Sequence, residues 1–375
     1  MLTSAERFAR LAPDKLTPKE NYMRLYKGED IEYIPTHTFF GMPVHGERTI
    51  APFGTCTMLY KDDFYPGADK FHDDWGVEYT SVPSANGSFI PSGTHTNDYL
   101  IKDITHWQDQ IWKPCLYDGI DWKAKAEEDL KDFDRSQTAV VCGSPWMPFQ
   151  QIMAMMGFNE GLIAMYEEPE KIHEIMRYCM DYLKPHMEAN IEYYRPDFFY
   201  ILDDTSTARS PFISQDMFEE MILPYYLEMT ETCRERGIPV LYHNCGRCED
   251  FLPVMVEKVG VRYWDPAQPQ NDLHGLQQGL CKDFNFNFIG GFTWHAPENW
   301  SYIVANWGKL SEKEMADLEE HVRREMRANI DEFGPGGHFL PAGSIIGPGG
   351  DPLTKPVNEW LADESYLYRR EFMLK

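Results

Sequence analysis

From about residue 137 the chain alternates short runs of β-branched and aromatic residues with longer runs whose apolar positions recur every three or four residues. "TAVVCGSPW" (138–146) reads as a buried strand that ends in a Gly-Ser-Pro loop. Pro169 opens an amphipathic segment carrying Ile172, Ile175, Met176, Cys179 and Leu183 on one face, as a helix requires. "DFFYILDDTS" (197–206) is the next strand. Ser214 caps the following helix, where Met217, Phe218, Met221 and Ile222 form one stripe before Pro224 kinks or restarts it. Gly237 closes that helix and "IPVLYHNCG" (238–246) is a third strand.

The alternation repeats with "VRYWDPAQP", a helical "NDLHGLQQGLC", and "FNFIGGFTWH". A longer helix begins at Ser311, with a capping box completed by Glu314 and an inner stripe of Met315, Leu318, Val322 and Met326. "GPGG" at 334–337 stops it, and the pairs Glu319/Arg323 and Glu320/Arg324 are expected on its solvent face. "HFLPAGSII" is a last strand and "VNEWLADESYLYRREF" a last helix. Strand–helix alternation of this kind predicts βα units and a parallel sheet, an α/β chain. The first 136 residues are less regular. "IEYIPTHTFFG" reads as a strand, and the Gly/Pro-rich aromatic region that follows, approximately 45–110, reads as an insertion with hairpins that covers one end of a barrel. No linker or low-complexity tract divides the chain, so 1–375 is expected to be a single domain.

Charge narrows the function classes. The chain has 35 basic and 60 acidic residues, a formal net charge of −25, which repels nucleic acid and anionic membrane surfaces. The N-terminus lacks the apolar core of a signal peptide, and no stretch approaches the roughly 18 apolar residues of a membrane span. A soluble, cytoplasmic protein is expected, and a homo-oligomer stays open. Eight cysteines in a chain of this length read as reduced thiols, with one functional subset.

In a parallel βα barrel, chemistry sits at the carboxyl ends of strands. Asp203 and Asp204 end one strand and are candidates for an acid, a substrate-orienting group or a metal ligand; the bland alternative is a turn or helix cap. His243 and Cys245, two apart on an extended segment, share a face and can reach one ion, for which imidazole and thiolate suit Zn²⁺. An ordinary packed His and Cys is the alternative. Cys248, expected in the first turn of the next helix where its pKa would fall, is a secondary candidate. Two ligands are too few, so a third must come from elsewhere. The late loop "LPAGSIIGPGGDP" lacks the Lys and Gly spacing of a P-loop.

"MGFNEGLIAMYEEPEKI", "ILDDTS", "SQDMFEEMILPYY", "GIPVLYHNCGRCEDFLPVMVEKVGV" and "GGHFLPAGS…PVNEW" resemble, in order, the landmarks of the uroporphyrinogen decarboxylase-like superfamily. The resemblance implies a (β/α)8 TIM barrel whose mouth receives a porphyrinogen or a corrinoid. True decarboxylases of that superfamily carry an arginine-rich N-terminal motif and a late Gly-His-Gly; here "IEYIPTHTFFGMP" has no arginine and "PAGSII" no histidine. The resemblance therefore points to the cobalamin-dependent methyltransferase branch, with an O-demethylase component preferred. Such an enzyme takes a methyl group from a small methylated donor, a methoxylated aromatic, to a corrinoid protein. Asp203, Asp204 and His243 are then the expected catalytic groups, and His243 and Cys245 metal ligands. In thiol-methylating members a later Cys completes the zinc site, but Ser344 stands there in this chain. Porphyrinogen decarboxylation, methyl transfer to a thiol, and non-catalytic docking of a corrinoid protein are the competing readings.

Overall fold

The computed structural model describes residues 3–11, 13–37, 44–45, 49–50, 68–82, 88–344 and 353–373. Contacts divide the chain into two compact units, one of residues 53–133 and 140–261, the other of residues 1–52, 134–139 and 262–375.

The first of these holds a small antiparallel sheet, β1 (Lys70–His72), β2 (Glu78–Val82) and β3 (Ser88–Pro91), in which Phe71 faces Tyr79 and Thr80 faces Ile90. These are the hairpin strands expected for the N-terminal insertion; its stretches 46–48, 51–67 and 83–87 lie outside the described residues. Three parallel strands follow in sequence order: β4 (Val141–Gly143), β5 (Phe198–Leu202) and β6 (Val240–His243). Every residue of β4 and β5 is buried, which suits strands covered on both faces.

Between β4 and β5 runs the 26-residue helix Pro169–Tyr194. Pro169 occupies its first turn, and Ile172, Ile175, Met176, Cys179 and Leu183 are all buried, each apolar side chain worth about 1.5–3 kcal/mol on full burial. On another face, Tyr178 and His186 meet rings of the N-terminal region: Trp107 lies 5.4 Å from Tyr178 and Tyr117 5.4 Å from His186, centroid to centroid. After β5, Ser214 caps Gln215–Met221 by accepting from the Met217 N–H at 3.2 Å. A new helix, Leu223–Met229, starts with Pro224 in its first turn, and Gly237, at φ +67°, ends the next one.

The other unit carries β7 (Val261–Ala267, which begins at the unit boundary), β8 (Asn287–Gly291) and β9 (Phe339–Ala342), again parallel, with Tyr263 opposite Asn287 and Ile289 opposite Leu340. The capping box forms as read: Ser311 accepts from the Glu314 N–H and the Glu314 carboxylate accepts from the Ser311 N–H at 2.8 Å. Leu318, Val322 and Met326 are buried along Glu312–Phe333.

Two expectations change. Glu319 pairs with Arg323 at 2.7 Å, but Glu320 pairs with Arg327, while Arg324 donates to His321. The cause is Glu364 on the Thr354–Phe372 helix, whose fully buried carboxylate draws Arg7, Arg323 and Arg327 around it. A buried charge left unpaired would be costly. The run "IEYIPTHTFFG" is irregular over residues 31–37, with 38–41 outside the described residues. Its carbonyls go to side chains instead of a ladder: Asn21 donates to Tyr33 O at 2.7 Å and Arg369 to Ile34 O at 3.1 Å.

Candidate metal centre

The pairing of β5 with β6 places Leu202 opposite His243, so the residues just past these two positions leave the sheet side by side. The Asp203 N–H continues the ladder by donating to His243 O at 3.0 Å. One step further, Asn244 ties the two exits together: its Oδ1 accepts from Thr205 N at 3.1 Å and its Nδ2 donates to Thr205 Oγ1 at 2.7 Å. Gly246 turns the second loop with φ +88°, and a Cβ there would lie 2.5 Å from Thr207 O. The neighbouring Arg247 N–H donates to that same oxygen at 2.7 Å.

This scaffold brings Asp204, His243 and Cys245 together, with one donor atom from each lying within 4.8 Å of the others. His243 Nε2 is 3.6 Å from Asp204 Oδ1 and 3.6 Å from Cys245 Sγ. All three residues are half-buried, so the trio is shielded yet reachable. Two of the three side chains are also held by further groups. Asp204 Oδ1 accepts from the Cys245 N–H at 2.8 Å, and Oδ2 accepts from Gln150 Nε2 at 3.2 Å. The Tyr200 hydroxyl sits 3.5 Å from His243 Nδ1, leaving Nε2 toward the trio. A carboxylate, an imidazole and a thiolate at these separations suit a tetrahedral Zn²⁺ with one position open. Among the described residues no other trio of His, Cys, Asp or Glu is gathered in this way.

Asp203 goes elsewhere. It is fully buried, and its two oxygens accept from Phe149 N at 2.7 Å, Gln150 N at 2.9 Å and Tyr226 Oη at 2.8 Å. Burial pushes its carboxyl up to about 7 against the pull of those three hydrogen bonds. It thus satisfies free N–H groups in the first turn of Pro148–Met156 and fixes the helix that presents Gln150 to Asp204. Cys248 does precede the next helical stretch, a 3₁₀ turn Glu249–Phe251 that runs on into Leu252–Val254, but it is fully buried with its sulfur 3.6 Å from Asn244 O. Burial raises its thiol well above the usual range, the opposite of the expected helix-terminus effect. Ser344 is exposed, two residues past β9 in the other unit. Gln150 and Tyr200 escaped sequence reading, because nothing in their local pattern marks which side chain lies behind a ligand.

An α/β chain with parallel strands and an Asp-His-Cys trio at the carboxyl ends of two of them defines a class, a parallel-sheet protein with a site suited to a metal. The particular family follows from comparison: the uroporphyrinogen decarboxylase (URO-D) profile matches residues 124–352, more than half of the chain, which therefore belongs to that family and has its (β/α)8 fold. Among curated proteins, none matches by sequence. Among solved structures, a methyltransferase from Methanosarcina mazei is similar over 96% of this chain and 100% of its own, with a TM-score of 0.55 and 12% identity. At that identity the likeness is one of fold. No helix among the described residues is long and apolar enough to cross a membrane.

Proposed function

We propose that the chain is a corrinoid-dependent methyltransferase that takes a methyl group from a small methylated donor, a methoxylated aromatic, and passes it to a corrinoid carried on a separate protein. The observation that carries this reading is the third donor of the trio, Asp204, a carboxylate, whereas thiol-methylating relatives are expected to complete the site with a later cysteine, at whose position this chain has Ser344. Two anionic donors and a neutral imidazole balance a divalent ion, and a hard oxygen donor in place of a soft sulfur favours an oxygen leaving group over a thiol. Zinc held there would supply Lewis-acid assistance to the departing alkoxide or phenoxide, which is otherwise a poor leaving group. The chain's own residues supply the rest. Gln150 and the Cys245 N–H keep Asp204 from rotating away, Tyr200 sets the His243 ring, and Asp203 anchors the helix that carries Gln150.

The test pairs metal analysis with turnover. Zinc-replete protein is assayed for methylcobalamin formation from cob(I)alamin and a panel of methoxylated aromatics, with and without chelator, beside His243→Ala and Cys245→Ala. The expected result is about one zinc per chain and a loss of at least about 100-fold in both variants. Full activity in both would remove the trio from the mechanism. Carbon dioxide release from a porphyrinogen would replace this reading with decarboxylation, and corrinoid-protein affinity without turnover of any donor would reduce the chain to a docking barrel.

A further inference from the structure

The helix Pro148–Met156, which presents Gln150 to Asp204, is apolar along its whole length except for two adjacent glutamines, Gln150 and Gln151. Consecutive residues of a helix point about 100° apart, so the two amides leave it toward different neighbours. Gln150 Nε2 donates to Asp204 Oδ2 at 3.2 Å, and Gln151 Nε2 donates to Asp73 Oδ2 at 2.9 Å. Asp73 opens the turn between β1 and β2 in the N-terminal insertion, and all of these residues lie in one unit. The helix thus has a carboxylate on each of two sides, one of them a metal donor.

The two oxygens of Asp73 divide their work. Oδ1 accepts from the Trp75 and Val77 N–H groups at 3.0 and 2.9 Å, and the Asp73 N–H donates to Val77 O at 3.0 Å, which closes the turn. Oδ2 reaches out to Gln151. The turn is pinned independently of that reach: the Asp74 carboxylate accepts from the Cys115 and Leu116 N–H groups at 3.0 Å, the Trp112 N–H donates to Trp75 O at 2.9 Å, and buried Trp75 packs on Tyr178 and Tyr182. The Tyr79 side chain also bonds the Asp73 carboxylate. Burial raises the Asp73 carboxyl above its ordinary value against the pull of Gln151 and the turn N–H groups, so this acid is held beside the helix at a desolvation cost.

We propose that Asp73 and Gln151 are positioning residues for the metal centre: the hairpin turn sets the rotation of helix Pro148–Met156, and that rotation keeps Gln150 on Asp204. Asp203 holds the end of the helix through the Phe149 and Gln150 N–H groups, and Gln151 adds a hold from the side. The inference rests on the reading of the trio as a metal site. Because coupling between two sites is reciprocal, an ion on the trio must in turn steady the turn at 73–77.

The test compares wild type, Gln151→Leu, Gln151→Glu and the double variant Asp73→Asn/Gln151→Glu as full chains. Zinc affinity is measured by competition with a chromophoric chelator, and the geometry of the trio by the absorption bands of bound cobalt(II). Gln151→Leu removes the hydrogen bond and Gln151→Glu sets two carboxylates against each other; each is expected to weaken zinc about fivefold and to shift the cobalt bands. The double variant exchanges donor and acceptor, and should return the affinity to within about twofold of wild type and restore the bands. Zinc should also slow amide hydrogen exchange at Trp75 and Val77 in wild type but not in Gln151→Leu. Wild-type zinc affinity and cobalt bands in both single variants, or a double variant no better than Gln151→Glu, would overturn the inference and leave the metal reading standing. A wild type that binds neither ion would overturn both.

Discussion

A carboxylate, an imidazole and a thiolate hold a metal more tightly the less they must be ordered at the moment of binding, and here the Asp204 carboxylate and the His243 ring each have a further partner. Asp204→Asn removes the charge while keeping an oxygen, and should weaken zinc by more than about tenfold, as measured by competition with a chromophoric chelator. Gln150→Leu and Tyr200→Phe leave the donors intact and should cost up to about tenfold in the same assay. Asp203 predicts the reverse pattern. Asp203→Ala leaves two backbone N–H groups and the Tyr226 hydroxyl without their acceptor in a buried place, and should lower stability by about 3 kcal/mol in urea unfolding, whereas Asp204→Asn should change it little. The two neighbours were indistinguishable as sequence: both end an apolar run, and which becomes a helix cap depends on β5 stopping at Leu202 and on a helix 50 residues upstream.

Helices with strong local signals were legible and those fixed by distant charge were not. Pro169, Ser214, Gly237 and the Ser311–Glu314 box mark their boundaries because capping is a matter of a few consecutive residues. Ser311→Ala should accordingly cost about 1 kcal/mol in urea unfolding. The partner of Glu320 depended on Glu364, 44 positions away, and the irregular backbone at 31–37 depended on Asn21 and Arg369. The same charge cluster has a pH signature. Burial alone would raise Asp363, but hydrogen bonds from Ser4 and Arg323 together with the Arg323 charge hold it below its ordinary 3.8. A lowered carboxyl stabilises the fold above its unfolded value and loses that contribution as pH falls below it. Wild type should therefore lose more stability than Asp363→Asn between pH 5 and pH 3, as read from urea midpoints.

On the scale of the whole molecule, the strand–helix alternation revealed the fold class because a buried parallel strand and an amphipathic helix carry different periods. All three donors were candidates in the sequence, His243 and Cys245 as a pair and Asp204 beside Asp203, but only folding shows that Asp204 is the carboxylate that joins the pair. Metal binding should be visible globally. A ligand bound only by the native state at 100 times its dissociation constant adds about 2.7 kcal/mol, so zinc should raise the urea midpoint of wild type and leave that of His243→Ala unmoved.

The contact of Gly246 with the Thr207 carbonyl bears on how such a site can diversify. Residues 205–207 are tied to the Asn244–Arg247 segment by hydrogen bonds and close contact, while the tip at 208–210 lies beyond the bridge between Ser206 and Pro211. Substitutions at these three exposed positions are therefore expected to leave Asp204, His243 and Cys245 in place, which makes the tip the part of this loop free to vary.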